Sequence, residues 1–212
     1  IRDRLIINAL AGGDGVVTRV AKCDDTDVML AALGSSDDTV SIGAAGTAMR
    51  FLTAYFAATP GRMVTLDGSE RMRRRPIAPL VDALRMCGAH IEYTGEEGYP
   101  PLRIEGTTLA GGEIELDGGV SSQFVSALLM VAPTMSGGLK LHIKGDVVSQ
   151  PYISMTLGIM AEWGVEAQCE GNVITVPHAS YTPVAYAVEA DWSAASYWYD
   201  CLLYTSPSPR DA

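Results

Sequence analysis

The second half of the chain can be laid on the first at a period of about 74 residues, and no other feature of the sequence restricts its fold as strongly. Gly46, Phe51, Ala54 and Pro60 fall on Gly119, Phe124, Ala127 and Pro133, while Gly68, Pro76 and Gly88 fall on Gly145, Pro151 and Gly164. The run Asp117 to Phe124 returns once more from Asp191 to Trp198. Each unit reads as strand, polar loop, helix, strand, polar loop, helix and then paired strands. The chain is therefore expected to be α/β (α+β), with equivalent loops of successive units gathered on one side.

Strands are predicted at 39–42, 63–66, 90–93, 102–105, 113–116 and 139–143, where β-formers stand between turn residues. Helices are predicted at 1–10, 24–33, 47–58, 77–87 and 124–131, and from 149–152 to a stop at Gly164. Asp24, Asp25 and Asp27 complement the dipole at the start of the second helix. His142 alternates with Leu141 and Ile143 and is expected to face solvent.

Three loops carry chemistry. In the run 43–52, two glycines lead straight into an apolar helix, so the backbone can turn tightly and present unpaired N–H groups to an anion, with Arg50 one turn in. The same small residues also serve a plain tight turn. Arg71, Arg73, Arg74 and Arg75 form the one dense basic cluster of an acidic sequence; they read either as a solvated face or as a guanidinium clamp for phosphate or carboxylate. At 117–123, Ser121, Ser122 and Gln123 follow a glycine pair at a helix start, which is more than one N-cap requires.

With 212 residues, 48% of them hydrophobic, the chain can bury a sizeable core. Its net charge of −10 argues against general nucleic-acid or anionic-membrane binding, so any anion must be held locally. Cys23, Cys87, Cys169 and Cys201 are widely spaced, without a CxxC pair, which predicts reduced thiols rather than a disulfide framework or zinc site. No charged-then-apolar leader and no apolar run of about 20 residues is present. A cytoplasmic protein with no metal, no nucleic acid and no membrane is expected.

Gly-Thr-Ala-Met-Arg at 46–50, Arg-Met-Arg-Arg-Arg-Pro-Ile at 71–77, Val-Ser-Ser-Gln-Phe at 120–124, Lys-Gly-Asp at 144–146 and Ser-Gln-Pro-Tyr at 149–152 stand in this order. Together with 191–197 they give the chain a sequence that resembles the 5-enolpyruvylshikimate-3-phosphate synthase (3-phosphoshikimate 1-carboxyvinyltransferase) family over nearly all of residues 5–199. The resemblance implies an enolpyruvyl transferase-like inside-out α/β barrel of βαβαββ repeats, with substrates bound between two globular halves. It implies transfer of the carboxyvinyl group of phosphoenolpyruvate to the 5-hydroxyl of shikimate 3-phosphate, releasing phosphate, by a protein that is monomeric at full length and uses no cofactor.

By position, the resemblance implies that Gly46, Arg75 and Gln123 bind phosphoenolpyruvate. Ser121, Ser122, Gln123, Ser149 and Tyr152 are implied ligands of shikimate 3-phosphate, with Tyr152 packed on the carbocycle. It divides the chain into an N-terminal half at 1–186, the beginning of a second half at 187–199 and a non-native tail at 200–212. The proton-transferring residues are expected in the second half, so this stretch is expected to be inactive alone. Phe51 replaces a frequent Pro, Ala44 a frequent Asn and Gln150 a frequent basic residue. Arg2-Asp3-Arg4 stands where Ser-Asn-Arg is usual, and the family's Lys-Ser pair is expected just before Ile1. Two rival readings are a UDP-N-acetylglucosamine enolpyruvyl transferase and a non-catalytic, repeat-built binding module.

Overall fold

The computed structural model describes residues 1–145, 150–188 and 192–205. Two copies of one strand–helix unit form its body. The first runs β2 (Thr39–Ser41), α3 (Gly46–Ala57), β3 (Met63–Asp67), α4 (Ala78–Met86), β4 (His90–Tyr93) and β5 (Leu102–Glu105). The second runs β6 (Gly112–Asp117), α5 (Ser122–Val131), β7 (Leu139–Lys144), α6 (Gln150–Glu162), β8 (Gln168–Glu170) and β9 (Val173–Val176). Their sheets have the same order, β2-β3-β5-β4 and β6-β7-β9-β8. In each, the first two strands are parallel and the hairpin adds antiparallel.

A third unit is split. Helix α1 (Arg2–Leu10), strand β1 (Val16–Thr18) and helix α2 (Asp24–Gly34) come from the start of the chain, and β10 (Ala185–Ala187) pairs parallel with β1 from the far end. Residues 35–38 carry the chain from α2 directly into β2, and this unit has no hairpin among the described residues. Neither β1 nor β10 was anticipated from the sequence; each pairs only with the other, from opposite ends of the chain. Helix α7 (Trp192–Thr205) follows, crossing the expected boundary at 199/200.

Helices α1, α3 and α5 pack on one another inside the sheets, which explains their composition. Phe124 through Val131 of α5 are all buried, and so are ten residues of α3. A helix that is apolar on every side is stable only inside a core. Burial of Phe51, Leu52, Phe124 and Leu128 contributes roughly 1.5–3 kcal/mol each. The sheets alternate inward and outward residues, so β7 reads buried, exposed, buried from Leu139. On its outer face Glu113 of β6 pairs with Lys140 and His142, which places His142 half-exposed on the solvent side. Among the described residues, no helix is long and apolar enough to cross a membrane.

Candidate functional site

Helices α3 and α5 start on the same side of the molecule, and the loops before them are tied to their neighbours by backbone bonds. Gly43 adopts φ 55°, which a side chain resists, and its carbonyl accepts from Ser69 N at 2.8 Å. Ile42 N donates to Asp67 O at 2.9 Å, and the equivalent Gly118 N donates to Lys144 O at 2.6 Å. Gly46 opens α3 for a different reason. A β-carbon there would collide with Nη1 of Arg75 and lie 3.0 Å from Nη1 of Arg50, so glycine lets two guanidiniums approach the helix start.

Arg50 is the buried cation of the site. It is 8% exposed, and its Nη1 donates to Gly46 O at 2.9 Å and to Gln123 Oε1 at 3.0 Å. Its guanidinium also lies over the Phe124 ring, 5.2 Å from the centroid. Burial, and after it the like charge of Arg75, holds its pKa below the ordinary arginine value. No carboxylate pairs with Arg50 or Arg75 among the described residues. Two neighbouring cations without a carboxylate partner, beside two helix starts, have the chemistry to hold an anion.

The other arginines of the basic cluster divide. Arg73 pairs with Asp67 and Arg74 with Glu70, so these two are occupied by neighbours, whereas Arg71 and Arg75 line a cavity of about 160 Å³ with Ala44 and Met72. The Arg73 contact holds the Asp67 carboxyl below the usual carboxylate range. Thus neighbouring acids engage two members of the run, while the other two line a cavity.

A second cavity, of about 130 Å³, opens between α1, α3, α5 and α6. Ser122, Gln123 and Tyr152 line it, joined by Thr47, Phe51 and Asp3. Ser121 does not. It is the N-cap of α5, its Oγ accepting from Gln123 N at 3.4 Å. Tyr152 is 61% exposed on the first turn of α6, so its ring is open to a ligand. Ser149, Asp146 and Asp191 lie outside the described residues.

One cluster in this cavity went unanticipated. Thr156 Oγ1 meets Asp3 Oδ2 at 3.2 Å, Tyr152 O at 3.1 Å and Ser126 Oγ at 2.8 Å. A hydroxyl has one proton and two acceptor positions. Thr156 donates toward Asp3 Oδ2 and Tyr152 O, which share its one proton, and Ser126 can supply the donor for the third contact. Burial raises the Asp3 pKa, and the charges of the chain amino group, Arg2 and Arg4 and the Thr156 bond offset it only in part. The three side chains are far apart in sequence, and no local pattern joins them.

Fold and site together define an α/β repeat protein with a cationic pocket at paired helix starts. The family model of EPSP synthase (3-phosphoshikimate 1-carboxyvinyltransferase) matches residues 34–201, and the chain belongs to that family. It is 53% identical over 196 residues to the 3-phosphoshikimate 1-carboxyvinyltransferase of Bacteroides fragilis, covering 92% of this chain and 48% of that protein. With the protein of the same name from Tolumonas auensis it shares 41% over 223 residues, covering 92% and 52%. The EPSP synthase structure from Acinetobacter baumannii shares the fold at TM-score 0.74 and 21% identity, covering 92% of this chain and 50% of that one. The chain spans about half the length of the curated relatives it matches.

Proposed function

We propose that this chain forms one wall of the cleft in which the carboxyvinyl group of phosphoenolpyruvate passes to the 5-hydroxyl of shikimate 3-phosphate, with release of phosphate. The observation that carries the reading is the unpaired cation pair Arg50 and Arg75 at the start of α3, inside a chain of net charge −10. In this reading the Gly46 turn, the Arg75 guanidinium and the Gln123 carboxamide hold phosphoenolpyruvate. Ser121, Ser122, Gln123 and Ser149 hold shikimate 3-phosphate, and Tyr152 covers its ring.

Both substrates carry phosphate and carboxylate groups, and fixed donors stabilise charge that moves between them without reorganising during the reaction. The division at 1–186, 187–199 and 200–212 belongs to the same reading. So does a cytoplasmic, monomeric whole enzyme, supported by the scattered cysteines and the biosynthetic family. The role assigned to this stretch is binding; transfer belongs to the cleft as a whole.

Thermal melting with each ligand in turn tests the reading. Shikimate 3-phosphate at 100 times its Kd raises stability by about 2.7 kcal/mol. UDP-N-acetylglucosamine leaves the melting temperature unchanged. A rise with the UDP-sugar alone overturns the assignment, and no response to any of the ligands favours a repeat-built module without this site.

A further inference from the structure

Arg50 and Gln123 stand at equivalent positions of the two units, each directly before the matching Phe51 and Phe124. Their side chains meet across the α3–α5 interface. Arginine can only donate, so the atom of Gln123 facing Arg50 Nη1 at 3.0 Å must be the carboxamide oxygen. The other half of the amide, its N–H pair, is then not engaged by Arg50, and Gln123 is one of the residues lining the cavity of about 130 Å³. The same Nη1 also holds Gly46 O at 2.9 Å. One buried guanidinium thereby links the backbone turn of one unit to the ligand-facing amide of the next.

We propose that Arg50 is a positioning residue that locks the Gln123 carboxamide with its oxygen inward, leaving its N–H donors for a bound anion, and fixes it in register with the Gly46 turn. This rests on the proposed function for the identity of the anion, but the locking itself does not depend on it. The arrangement has a physical rationale. A free glutamine presents oxygen or nitrogen to a ligand with similar ease, and an oxygen facing phosphate is repulsive. A buried guanidinium removes that choice before the ligand arrives, which is preorganisation. Phe124 under the guanidinium and the carbonyl of Gly46 keep Arg50 itself from turning.

Two measurements test this. Without ligand, the side-chain amide of Gln123 should show an NMR order parameter near the rigid-backbone value of about 0.85 in the native chain and below about 0.6 in Arg50→Met. With phosphoenolpyruvate, Arg50→Met and Gln123→Met should each weaken binding by about tenfold or more, and the double variant no further than Arg50→Met alone. An equally ordered amide in Arg50→Met, or losses that multiply in the double variant, overturns the proposal.

Gln123→Glu provides a check that does not risk unfolding, since it sets a carboxylate against the buried guanidinium. It should raise the melting temperature while weakening phosphoenolpyruvate binding; an unchanged or lowered melting temperature places the oxygen elsewhere and contradicts the lock. If the native chain does not bind phosphoenolpyruvate, the substrate assignment falls, and the amide order parameter and Gln123→Glu melting still decide the role of Arg50.

Discussion

Arg50 of α3 and Gln123 of α5 are repeat equivalents that touch at 3.0 Å, so the internal duplication is also the origin of a contact in the site. The repeat sets two helix starts side by side, with a cation at this position in one unit and an amide in the other. A charge at this depth is costly unless it is compensated. Its partners here are two neutral oxygens and an aromatic face, which leaves its charge available to an anion.

Gly46→Ala is expected to act on binding as well as on folding. The new methyl group meets the far end of the Arg75 side chain, which can swing into solvent, and sits tightly at 3.0 Å from the buried Arg50 Nη1, so the cost in stability should be about 1–2 kcal/mol. Displacing that guanidinium should weaken phosphoenolpyruvate binding by about tenfold, as expected for one lost charge-assisted contact. Denaturant unfolding and calorimetric titration of the same preparation separate the two effects.

Arg75→Lys tests whether geometry or charge matters at the clamp. Lysine keeps the positive charge but loses the planar pair of donors. Affinity for phosphoenolpyruvate should drop to a value between those of the native chain and Arg75→Ala. Equal affinity for arginine and lysine at this position would mean that Arg75 acts only as a point charge.

Asp3 links stability to pH. Because its pKa is raised in the folded state, the folded protein keeps a proton that the unfolded chain has lost. That stability is present below the unfolded aspartate value and declines as pH rises through the folded one. Asp3→Asn retains an acceptor for Thr156 and removes the charge, so it should raise Tm at pH 7 by on the order of 2–4 °C, the equivalent of about 1 kcal/mol. The difference between the two proteins should vanish near pH 3.

Cys87 is fully buried at the end of α4, and burial pushes its thiol up to about 11. Alkylation at pH 8 should therefore modify Cys23 and Cys169, which are exposed, and leave Cys87 untouched until the protein unfolds. Mass spectrometry of peptides from native and denatured samples provides the check.

The architecture was legible because the two complete units carry their signal locally. Glycines at the turns and apolar runs in α3 and α5 repeat at one spacing, and the matching sheet orders follow from that spacing. What escaped the sequence depends on long-range pairing. Val16 meets Ala185 in the split unit, and Asp3 meets Thr156, contacts that no window along the chain contains. Arg50 was visible as a charge inside an apolar helix, but its partner became identifiable only when α3 and α5 were seen side by side. The arginine run shows the opposite limit. Four similar residues in sequence separate into two that neighbouring acids hold and two that line a cavity, and the sequence does not distinguish them.

The central claim is that the starts of α3 and α5 form one binding wall for phosphorylated substrates. Amide chemical shifts during titration with shikimate 3-phosphate and then phosphoenolpyruvate test it most directly. The account predicts saturable shifts at Ser122, Gln123 and Tyr152 with the first ligand, and at Gly46 and Arg75 with the second. Shifts confined to other surfaces, or none at ligand concentrations in the millimolar range, would contradict it.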